Sequence, residues 1–128
     1  MILVIGGNSQ GKLAYGLSLL SCEIGKEQMA DGRCCGFEDG LSMPVIHHFH
    51  ILVKRMLVAG EDPARFVERL IQENPDVLIV TDEIGNGIVP MDPLERQWRE
   101  TTGRLCCRLA GEAREVHRVF CGIGTRLA

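Results

Sequence analysis

Lys12 ends a run of small residues, Gly6-Gly7-Asn8-Ser9-Gln10-Gly11-Lys12, that directly follows an apolar stretch. Small residues let backbone N–H groups approach an oxyanion, and a lysine adds positive charge, so the run reads as a phosphate cradle. Its spacing is that of the loop G-x-x-x-x-G-K-[ST] up to the last position, where Leu13 stands in place of a hydroxyl. In this reading Lys12 neutralises phosphate charge, and Gly7, Gln10 and Gly11 donate backbone N–H groups. The alternative is an ordinary strand-to-helix turn. Such a turn does not call for a lysine at the helix start, where its charge opposes the dipole.

Other groups could serve the same chemistry. Asp82 and Glu83 follow the apolar run Val77–Val80, and carboxylates suit Mg²⁺, held directly or through water. They also fit a pair of solvated acids at a strand end. Arg96, Arg99 and Arg104 could bind phosphates or a neighbouring subunit, or line a solvated helix face. His47 and His48 form an adjacent pair, with a nucleophilic role for His48 weighed against helix packing. Gly85 and Gly87 lie in the stretch IGNGIVP, whose apolar end suits substrate or subunit contact.

Positioning these residues requires an α/β frame. Ile2–Ile5 and Val77–Val80 are too apolar to have a wet face, as are central strands of parallel sheets. A helix is expected from about Gly11 to about Gly25, with Leu13, Leu17 and Leu20 at helical spacing and Gly16 weakening it by about 1 kcal/mol. Lys26 to Pro44 is punctuated by Asp31-Gly32, Gly36 and Asp39-Gly40, with a short strand possible at Gln28-Met29-Ala30. A helix beginning at Val45 is expected to bury Val45, Phe49, Leu52, Val53 and Met56 and to turn His47, His50 and Lys54 outward. Asp62-Pro63 and Asp92-Pro93 each read as N-cap followed by proline in the first turn. The second of these helices runs to about Ala113, and a last strand spans about Glu115 to Phe120. Cys121-Gly122-Ile123-Gly124 should leave that strand near the first loop. The expected fold is α/β, P-loop-like: a mainly parallel sheet flanked by helices, with residues 1–128 forming a single domain.

Composition narrows the function classes. Fourteen basic against seventeen acidic residues, with no basic block, argue against nucleic-acid binding. No apolar run reaches the roughly 20 residues needed to span a bilayer, and no signal peptide is recognisable, so a cytoplasmic protein is expected. Six cysteines are expected to be mostly buried small apolar residues, because they form adjacent pairs and singletons rather than a C-x-x-C or disulfide pattern. A Cys/His metal protein remains a minor alternative.

The segment from Thr81 to Gly124 adds a second, more specific signal. Glu83-Ile84-Gly85-Asn86-Gly87-Ile88-Val89-Pro90 is followed by Arg96-Gln97-Trp98-Arg99-Glu100, then Gly103-Arg104 and Leu109-Ala110. In this order the motifs resemble the carboxyl-terminal half of the bifunctional adenosylcobinamide kinase/adenosylcobinamide-phosphate guanylyltransferases, and the amino-terminal Gly-Gly-x-x-x-Gly-Lys resembles theirs too. Roughly the first fifteen and last fifty residues carry the likeness, and several motifs in order are far more specific than one loop. The resemblance implies ATP or GTP and Mg²⁺ as cofactors, cobinamide as small-molecule substrate, a homo-oligomer, and guanylyl transfer through a histidine. Family members carry Ser where this chain has Leu13, and they have a longer middle. The reading that follows is a phosphoryl-transfer enzyme of cobalamin biosynthesis, using Lys12, Glu83 and His48. The alternative is a nucleotide-binding regulatory or interaction subunit that has lost turnover.

Overall fold

A computed structural model describes residues 1–8, 11–84 and 91–128. Ser9, Gln10, Gly85 and Gly87, with the rest of IGNGIVP after Ile84, lie outside the described residues. In chain order the elements are β1 (Ile2–Gly6), α1 (Lys12–Ser18), β2 (Met29–Asp31), β3 (Val45–His47), α2 (Phe49–Val58) and α3 (Pro63–Glu73). They continue with β4 (Leu78–Asp82), α4 (Pro93–Glu112), β5 (Glu115–Phe120) and β6 (Ile123–Arg126).

The six strands form one sheet in the order β2-β3-β4-β1-β5-β6, parallel throughout except for the antiparallel β5–β6 pair. Alternation along each strand sorts the apolar residues onto two faces. Ile2, Val4, Leu78, Val80 and Val119 meet α1 and the segment after it; Leu3, Ile46, Ile79 and Val116 meet α2, α3 and α4. Both faces are therefore covered, which is why the central strands contain so little polar residue. This is the α/β, mainly parallel arrangement expected from the sequence.

Both aspartate caps form as expected. Asp62 Oδ1 accepts from the Ala64 amide and Asp92 Oδ1 from the Leu94 amide, each at 3.0 Å, with proline opening the helix. Other expectations need correcting. Helix α1 stops at Ser18, not near Gly25: the Ser18 hydroxyl bonds the Tyr15 carbonyl, and the Leu19 and Leu20 amides close on Gly16 and Leu17. Such local bonds compete with helical continuation, while Leu19, Leu20 and Ile24 still pack on the sheet. Val45 opens a strand rather than a helix. Val45 and Ile46 pair with both β2 and β4, and the apolar four-residue spacing from Val45 to Phe49 spans a strand end and a helix start.

The segment after Phe120 is also more ordered than expected. Cys121 (φ 51°) and Gly122 (φ 75°) both adopt left-handed backbone, the pattern of a tight two-residue hairpin, and return the chain as β6. It does approach the first loop: a Cβ on Gly11 would come within 3.4 Å of Gly122 Cα. A side-chain relay fixes α1 on this half of the sheet. Tyr15 Oη lies 2.7 Å from His117 Nδ1, and His117 Nε2 lies 3.0 Å from Glu115 Oε1.

Candidate functional site

Parallel pairing brings the carboxyl ends of β1 and β4 side by side, with Gly6 opposite Asp82. Ligands of open α/β sheets bind outside such strand ends. Gly6 has no room for a side chain, since a Cβ would sit 2.5 Å from the Val119 carbonyl oxygen. Gly11 takes φ 81°, which only glycine adopts without strain, and hands the chain into α1 with Lys12 as its first residue.

The Lys12 side chain then folds back over Gly6. Its Nζ donates to the Gly7 carbonyl at 2.7 Å and lies 2.6 Å from Asp82 Oδ1. Lys12 is 7 % exposed and Asp82 17 %, so the pair is largely removed from water. A buried ammonium needs such a partner, and any anion entering here competes for it.

His50 completes the group. The Asp82 amide donates to His50 Nδ1 at 3.2 Å, which places the ring proton on Nε2, and Nε2 faces Asp82 Oδ2 at 3.3 Å. Burial pushes the His50 pKa below 6.5 against the opposing pull of Asp82, so the imidazole is neutral. Trp98 holds the same residue from α4: its indole Nε1 donates to the His50 carbonyl at 2.7 Å, and the rings stack at 6.3 Å. Lys54 Nζ lies 4.6 Å above the Trp98 ring and pairs with Glu95 at 2.7 Å, fastening α2 to α4. The sequence reading had turned His50 outward. In the first turn of α2 it is covered instead by Asp82 at the end of β4 and by Trp98 of α4, and only its place two residues past the His-His pair hinted at a role.

A second carboxylate cluster sits at the end of β2. Asp31 accepts from the Arg33 side chain, with Nη2 at 2.8 Å, and from the Arg33 amide at 3.0 Å; His48 Nδ1 lies 3.1 Å from Asp31 Oδ1. The Arg33 bonds hold the Asp31 carboxyl well below the usual range. His48 itself has left-handed backbone (φ 54°), and Gly32 gives it space, because a Cβ there would collide with the His48 carbonyl oxygen. The His47 and His48 rings lie 3.6 Å apart and those of His48 and His50 6.1 Å. Burial first, and electrostatic repulsion by the adjacent His48 second, lower the His47 pKa to about 4.

The remaining residues spread outward. Glu83 donates its amide to the Gly6 carbonyl at 2.8 Å and pairs its carboxylate with Arg118 at 3.2 Å. Arg99 Nε donates to the Ile84 carbonyl at 2.8 Å; Arg96 and Asn8 are exposed, and Arg104 faces Glu100 at 3.5 Å. Beside Asp82 and Glu83 a cleft of about 220 Å³ opens toward α4, lined also by Ile5, Ile84, Gly103 and Thr102. The Thr102 hydroxyl oxygen is buried without a hydrogen-bond partner among the described residues. Leu13 packs into the apolar layer on the α1 side. Contrary to expectation no cysteine is buried: four are exposed, and Cys35 and Cys106 are half-buried. Among the described residues no three His, Cys, Asp or Glu side chains are grouped to hold a metal ion. Among the described residues no helix is long and apolar enough to cross a membrane.

Comparison with known proteins gives the geometry a family. The family model described as cobinamide kinase / cobinamide phosphate guanyltransferase matches residues 39–127, from the segment before β3 to the end of β6. Among curated proteins, the bifunctional adenosylcobalamin biosynthesis protein CobU of Salmonella typhimurium is 47 % identical over 51 residues. The protein of that name from Escherichia coli strain K12 is 45 % identical over 51 residues. Each alignment covers 40 % of this chain and 28 % of the relative's length. With most of its length matched, including the strand and helices that carry His50, Asp82 and Trp98, the chain belongs to the cobinamide kinase / cobinamide phosphate guanyltransferase family.

Proposed function

We propose that this protein binds ATP or GTP at the Gly6–Lys12 loop and transfers a phosphoryl group to the hydroxyl of a cobinamide acceptor. The supporting observation is the Lys12–Asp82 pair at the joined ends of β1 and β4, where a buried ammonium stands beside a glycine-rich turn. Phosphoryl transfer asks little covalent work of a protein and depends on positioning and charge stabilisation. A triphosphate would take Lys12 away from Gly7 and Asp82. The Asp82 carboxylate, with Glu83 beside it, is the oxygen donor that suits Mg²⁺, which binds through one or two carboxylates and substrate phosphates. When bound, that ion would neutralise charge on the phosphates. Guanylyl transfer from GTP would follow on the resulting phosphate.

His48 is the candidate for a covalent step of the second reaction. With Nδ1 donating its hydrogen to Asp31, Nε2 keeps its lone pair for attack on a phosphorus. In that step the Nε2–P bond forms as the bond to pyrophosphate breaks. Arg99 and the segment before Met91 are candidate substrate or subunit contacts in a homo-oligomer.

One observation favours a second reading. Leu13 spends its side chain on packing at the position where a hydroxyl would assist the metal, which suits a nucleotide-binding subunit without turnover. Incubation of the purified protein with Mg-ATP or Mg-GTP and adenosylcobinamide separates the two. Labelled product that disappears in Lys12→Ala supports the enzyme; tight nucleotide binding without product supports the subunit; no nucleotide binding overturns both.

A further inference from the structure

We infer that His50 is a positioning residue of the phosphate site, acting through Asp82 and not on substrate; this rests on the nucleotide reading of Lys12 given above. Both of its ring nitrogens lie against one residue, Nδ1 as a hydrogen-bond acceptor and Nε2, which carries the ring hydrogen, beside a carboxylate oxygen. Nδ1 takes the Asp82 amide hydrogen at 3.2 Å, and Nε2 faces Oδ2 of the same residue at 3.3 Å. A ring so engaged has no lone pair to offer a substrate, so general-base and nucleophilic roles do not fit it.

What the ring does instead is set the rotation of a carboxylate. Oδ2 is turned toward His50, and Oδ1 is thereby presented to Lys12 at 2.6 Å. His50 is itself fixed from a different helix, through the Trp98 indole on its carbonyl. The chain of contacts runs from α4 through α2 to β4 and on to the first residue of α1. When a phosphate draws the ammonium away, Asp82 keeps its orientation because two of its contacts survive, and Oδ1 becomes available to the accompanying cation. Leu13 offers no oxygen at that place, so the aim of Asp82 matters more here than where a loop hydroxyl shares the task. An imidazole that orients a carboxylate in this way follows the logic by which outer partners orient metal ligands.

The test is a double-mutant cycle on the full chain between His50 and Asp82→Asn, with two readouts. The rate of Lys12 acetylation by a small anhydride, followed by mass spectrometry, reports how firmly its amine is held and requires no nucleotide. Mg-ATP and Mg-GTP affinity reports the site in use. His50→Phe is expected to speed Lys12 acetylation and to weaken the preferred Mg-nucleotide about tenfold. In the Asp82→Asn background both effects should fall below about twofold, since the residue through which His50 acts is already altered. His50→Gln, which keeps one acceptor and one donor, should recover most of both, whereas the shorter His50→Asn should not. That pair carries the comparison if His50→Phe does not fold. Equal effects in the two Asp82 backgrounds, or Gln and Asn variants of matching thermal stability and matching acetylation rate, would overturn the inference. Coupled acetylation in a protein that binds neither nucleotide would leave His50 as the orienter of Asp82 and would overturn the nucleotide reading instead.

Discussion

Two strand ends of this sheet carry the same three chemical parts, a carboxylate, a cation and an imidazole, assembled in opposite ways. At the end of β4, Asp82 meets Lys12 from α1 and His50 from α2, in a setting where the lysine is 7 % exposed. At the end of β2, Asp31 meets Arg33, two residues along the chain, and His48; here the arginine is 63 % exposed. The first cluster pairs its carboxylate with a cation distant in sequence and shielded from water; the second takes its cation from a local turn in contact with water. The same Coulomb attraction has different consequences, because solvent screens the second pair and desolvation penalises any unpaired member of the first.

Removing the cation from each cluster is the most direct way to break that contrast. Lys12→Ala should lower phosphoryl transfer about 100-fold or more, as loss of a charge-stabilising donor does. It should also destabilise the fold by on the order of 3 kcal/mol by leaving Asp82 short of its partner. Arg33→Ala should cost far less, because solvent screens its exposed pair with Asp31. Urea unfolding of both variants, with product assays on the first, checks the pair; equal stability losses would mean that the two clusters do not differ in kind.

A geometric change tests whether the exposed cluster nevertheless has a fixed shape. Gly32→Ala drives a methyl group into the His48 carbonyl oxygen, so the turn must shift at a cost of about 1–3 kcal/mol. The Asp31–His48 bond should be lost with it. A thermal scan and the His48 imidazole NMR signals report the two effects.

The pH response reports on the buried imidazoles, His47 beside the second cluster and His50 in the first. His47 has a folded pKa of about 4 against an ordinary 6.5, so between these values the unfolded chain binds the extra proton. Its contribution to stability is therefore complete above about pH 6.5 and is lost as pH falls toward 4. His50, also lowered by burial, acts in the same direction. Denaturant titrations from pH 7.5 to 4 should show this decline, and His47→Phe should reduce its slope.

The smallest expected effect concerns the metal. Leu13→Ser restores the hydroxyl at the loop, and it should raise Mg-dependent nucleotide affinity by a few-fold, while loss of apolar packing lowers stability by about 1 kcal/mol or more. Isothermal titration with and without Mg²⁺ measures the first effect. Unchanged affinity would mean that Asp82 and its neighbours meet the need without it.

The strand-to-helix turn that delivers Lys12, the two central strands, both aspartate-capped helices and β5 were legible because each is written in a short window. An apolar run, an Asp-Pro pair or a glycine next to lysine specifies its local backbone whatever lies beyond it. The motifs from Glu83 to Ala110 were equally legible as a resemblance. The strand at Val45 was not, because a four-residue apolar spacing can span a strand end and a helix start, and β-pairing decides between them. The β5–β6 hairpin was missed because Cys-Gly is a weak turn signal beside Asn-Gly.

By itself, then, the sequence determined a parallel α/β domain with a lysine-bearing glycine loop, since those features depend on neighbours along the chain. Tertiary structure decided what Lys12 does at rest, and that His50 faces inward. It also decided that Asp82 and Glu83, though adjacent, have different partners: Lys12 and His50 for one, Arg118 for the other. Those outcomes depend on strand register and on which elements pack over the first turn of a helix. A one-residue slip in register would turn the same strand side chains to the opposite face of the sheet.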